Sequence, residues 1–202
     1  LDKQKTEFLS IAAHQLRTPL SILKGYIELI VDGAYGKVGV KVVQVLKDMD
    51  TSNEHLVKLV DEFLDISRIE QGRTKFVFKE SDPNKIINDV VNELKEKADV
   101  KAIKIKWKVN EDLKKILMDD EKIHHVIYNY IDNALKYADK GDIEVVLESE
   151  NEGTTFRVRD CGVGFNKTDE ANFFQKFYRG DNVKGMNVNG TGLGLYVCRK
   201  FI

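Results

Sequence analysis

Apolar positions recur along the first seventy residues in steps of three and four. Leu9, Ala12, Leu16, Leu20, Leu23, Ile27 and Ile30 form one seam, and Val42, Leu46, Met49, Asn53, Leu56, Val60 and Phe63 keep the same rhythm. The spacing predicts two long amphipathic helices. A loop holding Gly33, Gly36 and Gly39 separates them, the first helix ending near Asp32-Gly33. A lone hairpin with such narrow stripes has little to bury them against. Pairing two copies into a four-helix bundle solves this, so residues 1–70 predict a homodimer; packing on the chain's own second half is the alternative.

Gln71-Gly72-Arg73 breaks the helical period, and residues 71–81 read as a linker and a first strand in which Phe76 and Phe78 alternate. From 82 to 202 the texture is mixed. Asp82-Pro83 reads as an N-cap followed by proline at the first helical position, opening a helix to about Ala98. Ile103, Ile105, Trp107 and Val109 alternate as a strand, as do Ile143–Leu147 and Thr155–Arg159. Asp119-Asp120 opens a helix through about Ala138. Residues 166–189 are polar with no clear period, and Gly192 or Gly194 begins a last helix. The order predicts an α+β chain: a helical hairpin, then an α/β sandwich with helices layered on one face of a mixed sheet.

Composition narrows the functions. The chain has 202 residues, 42% hydrophobic, with a formal net charge of -1, so it carries no basic footprint for nucleic acid. No apolar run approaches the roughly 20 residues that span a bilayer, so no direct membrane contact is expected. The chain starts at Leu1 rather than Met and reads as a piece of something longer. Cys161 and Cys198 show neither disulfide nor metal-ligand spacing, and the adjacent His124 and His125 point to different sides of a helix.

Three segments carry candidate chemistry. On the 120–138 helix, Asn129, Asn133 and Lys136 share one face. Their amides suit phosphate oxygens, water or a hard cation such as Mg²⁺, and the ammonium suits phosphate; an ordinary solvated face is the alternative. Asp160-Cys161-Gly162-Val163-Gly164 follows a strand. A carboxylate there can accept from an adenine amino group, and the glycines permit tight turns and close approach. Gly190-Thr191-Gly192-Leu193-Gly194-Leu195 opens the last helix, where backbone N–H groups suit phosphates. Between these segments a mobile lid is expected, pinned by Phe173, Phe174, Phe177 and Tyr178, with Arg179 able to reach a phosphate. Far upstream, His14 lies off the apolar seam and should point to solvent, with Pro19 removing a backbone donor and kinking the helix below it.

Taken in order, these motifs resemble the sensor histidine kinases of two-component signalling, over nearly the whole chain. His14-Gln15-Leu16-Arg17-Thr18-Pro19 is similar to that family's phosphoacceptor box, and Asn129 to Tyr137 to its asparagine box. Asp160 to Gly164 and Gly190 to Leu195 are similar to its glycine boxes, and Phe174 to Arg179 to its phenylalanine box. The resemblance implies ATP and Mg²⁺ as cofactors. It implies that Asn133 coordinates the metal, Asp160 reads adenine, Lys136 and Tyr137 line the site, and Gly190 to Leu195 cradle phosphates. His14 would attack the γ-phosphate through a ring nitrogen and pass the phosphoryl group to an aspartate of a response regulator receiver domain. Thr18 would orient water for dephosphorylating that regulator. Such a core would lie in the cytoplasm, within a larger bacterial protein, membrane-anchored or not.

Two departures stand out. The residue after the histidine is usually a carboxylate able to take the imidazole proton; here it is Gln15, which cannot. The family also usually continues past the last helix into further strand, so an edge strand is expected to be missing at Ile202. Gln15 keeps a degenerate, nucleotide-binding dimeric scaffold in play. A gyrase-type ATPase is the other rival, and it would need neither His14 nor the hairpin.

Overall fold

The structure is a computed structural model. It describes the backbone of residues 2–150, 153–184 and 190–202, and the side chains of residues 11–13, 15–149, 153–183 and 190–202. The chain divides into two compact units, residues 1–74 and 75–202.

The first unit is a helical hairpin of α1 (Asp2–Val31) and α2 (Val40–Glu70). Both helices stop the same way. Gly33 and Gly72 take the left-handed conformation, φ +82° and +62°. The Gly33 N–H donates to Ile30 O and Ala34 N–H to Leu29 O; Gly72 N–H donates to Ile69 O and Arg73 N–H to Arg68 O. These paired bonds satisfy the last carbonyls of each helix, and glycine is the residue that adopts the conformation without steric cost. Pro19 lies inside α1 without ending it.

The predicted seams split in two. On α1 Ile27 is buried and Ala12, Leu20 and Ile30 are half-buried, with the buried Ala13 lying off the predicted seam; on α2 Leu46, Asn53 and Val60 are buried, seven residues apart, and Phe63 is half-buried. Five seam positions stay open: Leu16 is 53% exposed, Val42 49% and Leu56 48%, with Leu23 and Met49 also exposed. Each helix therefore spends part of its apolar stripe inside the hairpin and holds part of it outward. Cross-links between the helices pair Arg17 with Asp61 and Lys24 with Glu54, the latter at 2.7 Å. Both pairs are exposed, and each is worth under about 1 kcal/mol.

The second unit comprises α3 (Pro83–Glu93), α4 (Lys95–Val100), α5 (Asp120–Tyr137), α6 (Lys167–Asn172), α7 (Asp181–Lys184) and α8 (Gly194–Phe201), with strands β1 (Lys79–Ser81), β2 (Ile105–Trp107), β3 (Ile116–Met118), β4 (Ile143–Glu150) and β5 (Gly153–Arg159). The sheet β2-β4-β5 is mixed: β2 runs parallel to β4 and β5 antiparallel to it. β1 and β3 form a separate antiparallel pair. Ile87 and Val90 from α3, Ile127, Ile131 and Leu135 from α5, and Ile143, Val145 and Leu147 from β4 meet in one core. Alternation along β4 puts every second residue into that core. The class is the predicted one, helices against a mixed sheet.

Four predicted elements are corrected. Phe76 and Phe78 are not in the strand; β1 begins at Lys79, and the two rings stack at 5.8 Å in the preceding extended segment. The helix from Pro83 breaks at Leu94, whose side chain is buried in the core, and resumes as α4. The strand read over Ile103 to Val109 is paired only from Ile105 to Trp107. Within the polar 166–189 stretch, Asn166 and Asp169 form a reciprocal capping box that starts α6. The pattern also missed β3, whose three residues are too few to show a period.

Candidate nucleotide site

The predicted caps place the site's elements. Asp119 precedes α5 and its carboxylate accepts from Lys122 N–H at 3.1 Å and from Val77 N–H at 2.7 Å. Burial pushes the Asp119 pKa up, yet the backbone donors outweigh it and hold the group below its ordinary value. Its stabilising effect is present at neutral pH and is lost as pH falls through that lowered value.

α5 carries Asn129, Asn133 and Lys136, but their face is not the solvated one the alternative reading required. Asn129 is buried, its Nδ2 donating to His125 O at 2.9 Å, and Asn133 and Lys136 are half-buried. Lys136 does not project as a free charge: its Nζ lies 2.6 Å from Asp132 Oδ2. At the end of β5, the exposed Asp160 accepts through Oδ1 from Gly162 N–H at 2.8 Å. Val163 is exposed, and Gly164 sits at φ +65° with its carbonyl accepting from Asn182 Nδ2.

The glycines record how closely these segments approach. A Cβ on Gly162 would fall 2.6 Å from the Tyr137 carbonyl oxygen. One on Gly190 would meet the Tyr137 hydroxyl at 3.4 Å, one on Gly192 the Phe177 carbonyl carbon and Tyr178 oxygen at 2.7 Å, and one on Gly194 Asn129 Oδ1 at 2.5 Å. The asparagine helix, both glycine segments and the aromatic segment are thus brought together around one place. Thr191 Oγ1 accepts from Leu193 N–H at 3.1 Å, Leu193 is wholly buried, and Leu195 is half-buried.

The aromatic segment is pinned differently from expectation. Phe173 packs edge-on against Phe165 with centroids 4.5 Å apart, and the Arg199 guanidinium lies over Phe174. Phe177, by contrast, is 59% exposed, and its attachment includes the main chain: its N–H donates to Gly192 O at 2.9 Å while its own φ is +64°. An aromatic residue held left-handed is strained, and such strain gathers at functional sites. The Tyr178 hydroxyl donates to the buried Asp169 at 2.8 Å, which raises the phenol above its ordinary pKa. Arg179 is half-buried. Residues 185–189, the end of the predicted lid, lie outside the described residues.

On the hairpin, Gln15, Arg17 and Thr18 are exposed on α1. The predicted outward direction of the His14 side chain lies outside the described residues, and so does the side chain of Leu9 in the predicted seam. The sequence reading missed Asp132 and Asp169, two buried carboxylates that organise the site. Asp132 stands inside the asparagine motif, where nothing in the sequence marks it as buried; Asp169 carries a signal in the Asn166-x-x-Asp169 cap spacing.

A mixed sheet backed by helices, with asparagine, aspartate and glycine segments converging at one end, defines an ATPase-type nucleotide domain joined to a helical hairpin. Comparison with known proteins agrees unit by unit. Residues 4–72 match the His Kinase A (phospho-acceptor) domain, and residues 118–202 match the family described as histidine kinase-, DNA gyrase B-, and HSP90-like ATPase. Relatives include the circadian input-output histidine kinase CikA of Synechococcus elongatus, 28% identical over 201 residues and 98% of this chain. The cell-division control histidine kinase PdhS of Brucella suis is 30% identical over 210 residues. The chain spans 27% and 20% of those two relatives' own lengths. Among solved structures, full-length ShkA in complex with AMPPNP matches 96% of this chain and 40% of its own, with TM-score 0.78 at 24% identity. The catalytic domain of histidine kinase ThkA matches 63% of this chain and 80% of its own, with TM-score 0.55 at 27% identity. The chain belongs to the histidine kinase family and holds its phosphoacceptor and nucleotide-binding domains. Among the described residues, no helix is long and apolar enough to cross a membrane.

Proposed function

We propose that this chain is the catalytic core of a sensor kinase that phosphorylates its own His14 with ATP and passes the phosphoryl group to an aspartate on a response regulator receiver domain. The observation that carries the reading is the convergence of Asn129, Tyr137, Asp160–Gly164, Phe177-Tyr178 and Gly190–Gly194 in one place. Asp160 is the group for the adenine amino donor, Gly162, Val163 and Gly164 let the base approach, and Gly190 to Leu195 with Arg179 and Lys136 face the phosphates. Asn133, beside Asn129, offers the hard amide oxygen that Mg²⁺ accepts alongside phosphate and water. When bound, that ion spreads the charge of the phosphates. A His14 ring nitrogen forms the new P–N bond as the γ-phosphorus leaves the ADP oxygen, and the chain's part is positioning and charge stabilisation. This core belongs to a larger bacterial protein, on its cytoplasmic side.

The homodimer belongs to the same proposal. Leu16 and Leu23 on α1 with Val42, Met49 and Leu56 on α2 leave part of each seam uncovered. Burying a side chain of this size is worth about 1.5–3 kcal/mol, and the matching stripe of a second copy completes the bundle.

The test is incubation of the chain with labelled ATP and Mg²⁺. Acid-labile phosphate is expected on the wild type and none on His14→Ala or Asp160→Asn. ATP binding without phosphohistidine would favour the scaffold reading instead. Mixing the two variants shows which subunit phosphorylates which: label in the mixture means transfer between subunits.

Gln15 sets an expected rate. An amide orients the imidazole but takes no proton, so Gln15→Glu is expected to speed autophosphorylation about tenfold or more at saturating ATP, within the range of general-base effects. A wild-type rate equal to the variant's would remove Gln15 from the mechanism. Thr18 stands one turn beyond His14 on α1. Thr18→Ala is expected to lose dephosphorylation of the regulator while keeping phosphohistidine formation; intact dephosphorylation would reject the role.

A further inference from the structure

Asp132 is 1% exposed on α5, between the two asparagines of the site. A carboxylate this buried is costly unless paired, by several kcal/mol. One ammonium suffices for pairing, yet two are present. Lys136, one turn on, bonds Oδ2 at 2.6 Å, and Lys97 of α4 bonds Oδ1. The Lys136 side chain is 19% exposed and the Lys97 side chain 44%. α4 also braces the main chain at the same point. Lys101, its C-cap, donates from Nζ to the carbonyl oxygens of Leu135 at 2.7 Å, Lys136 at 3.1 Å and Ala138 at 3.4 Å.

The arrangement lets one ammonium leave without stranding the carboxylate. If Lys136 turns to a phosphate, Lys97 still neutralises Asp132; with one partner only, the same movement would uncover a buried charge. We propose that Asp132 and Lys97 are positioning residues for the nucleotide phosphates: Asp132 holds the Lys136 ammonium at the pocket wall, and Lys97 keeps Asp132 neutralised when Lys136 engages the triphosphate. This rests on the nucleotide site proposed above. Lys97 reaches the phosphates only through Asp132 and Lys136.

Binding of ATP and of adenosine to the full chain separates the possibilities, because adenosine uses the base pocket without the phosphates. Asp132→Asn is expected to weaken ATP about tenfold, the equivalent of one strong polar contact, and to leave adenosine within about twofold. Lys97→Met, at a partly exposed position that tolerates truncation, is expected to weaken ATP in the same sense with adenosine unchanged. Combining Asp132→Asn with Lys136→Met is expected to weaken ATP no more than Lys136→Met alone, since both act through one ammonium. Simple charge counting makes the opposite forecast: removing a negative group beside the phosphates should tighten ATP. Tighter ATP binding by Asp132→Asn, equal loss of adenosine and ATP, additive effects, or an unchanged Lys97→Met would each overturn the proposal. A wild-type chain that binds neither ligand would instead reject the nucleotide site itself.

Discussion

Gly192→Ala is expected to abolish measurable ATP binding and to destabilise the second unit by about 2–4 kcal/mol, the range of a steric clash added to backbone strain. Two effects combine. Gly192 sits at φ +70°, which costs a residue with a Cβ about 1–2 kcal/mol. The added carbon would also fall 2.7 Å from the Phe177 carbonyl carbon and the Tyr178 oxygen. Both are backbone atoms, and neither can swing aside. Phe177 is itself left-handed and bonds back through its N–H to Gly192 O at 2.9 Å. The clash must therefore separate the aromatic segment from the glycine segment, the contact that closes the site. Gly164→Ala is the control for strain alone in unfolding: its φ is +65°, but nothing lies within 4 Å of its Cβ position. Thermal unfolding of the two variants, with ATP titration of Gly192→Ala, checks the argument. Equal effects would mean that strain, not the contact with Phe177 and Tyr178, sets the outcome.

The contrast between those two glycines shows what the sequence could and could not convey. Clustered glycines near 162–194 were legible as backbone freedom, but which glycine is needed for its torsion and which for its missing side chain depends on chain segments far apart in sequence. Gly162 needs the second kind of freedom only, since its Cβ would strike the Tyr137 oxygen. Long elements with strong periods were read with nearly correct bounds: α1, α2 and α5 each differ by a residue or so. The short pieces were not. β3 has three residues, and α6 has six and depends on the Asn166–Asp169 cap rather than on any apolar rhythm. At the site, Asn129, Asn133 and Lys136 read as one polar face, ligand-holding or solvated, and the structure buries Asn129 beneath Gly194. A polar helix face looks the same in sequence whether water or a second glycine-rich segment covers it. Asn53 posed the reverse problem: the apolar rhythm ran straight through it and gave no hint of what its amide does.

Asn53→Asp is expected to destabilise the hairpin by about 3–5 kcal/mol at neutral pH, the cost of a buried charge without a partner. Asn53 is 1% exposed between the two helices, and its Nδ2 donates to Leu20 O at 3.0 Å, one residue past Pro19. Its Oδ1 is buried with no hydrogen-bond partner. The position thus already leaves one acceptor unmatched, a loss of about 1–3 kcal/mol that a hydrophobic residue would not suffer. Aspartate has the same shape but replaces the donor with a second acceptor. Ionised, it faces the Leu20 carbonyl with like polarity and no water. Protonated, it can donate its O–H to that carbonyl. Burial raises the folded pKa of this carboxyl above its unfolded value, so stability is kept below the unfolded value and lost as pH rises through the folded one. Helical unfolding curves recorded from acid to neutral pH should therefore bring the variant close to wild type in acid and separate the two as pH rises. Asn53→Leu supplies the comparison: it removes the donor and the unmatched acceptor together, so its stability should exceed that of Asn53→Asp at neutral pH and show no added pH dependence. A neutral-pH stability for Asn53→Asp equal to wild type would mean that water reaches this position between the helices, and that the hairpin seam at Leu20 is open rather than closed.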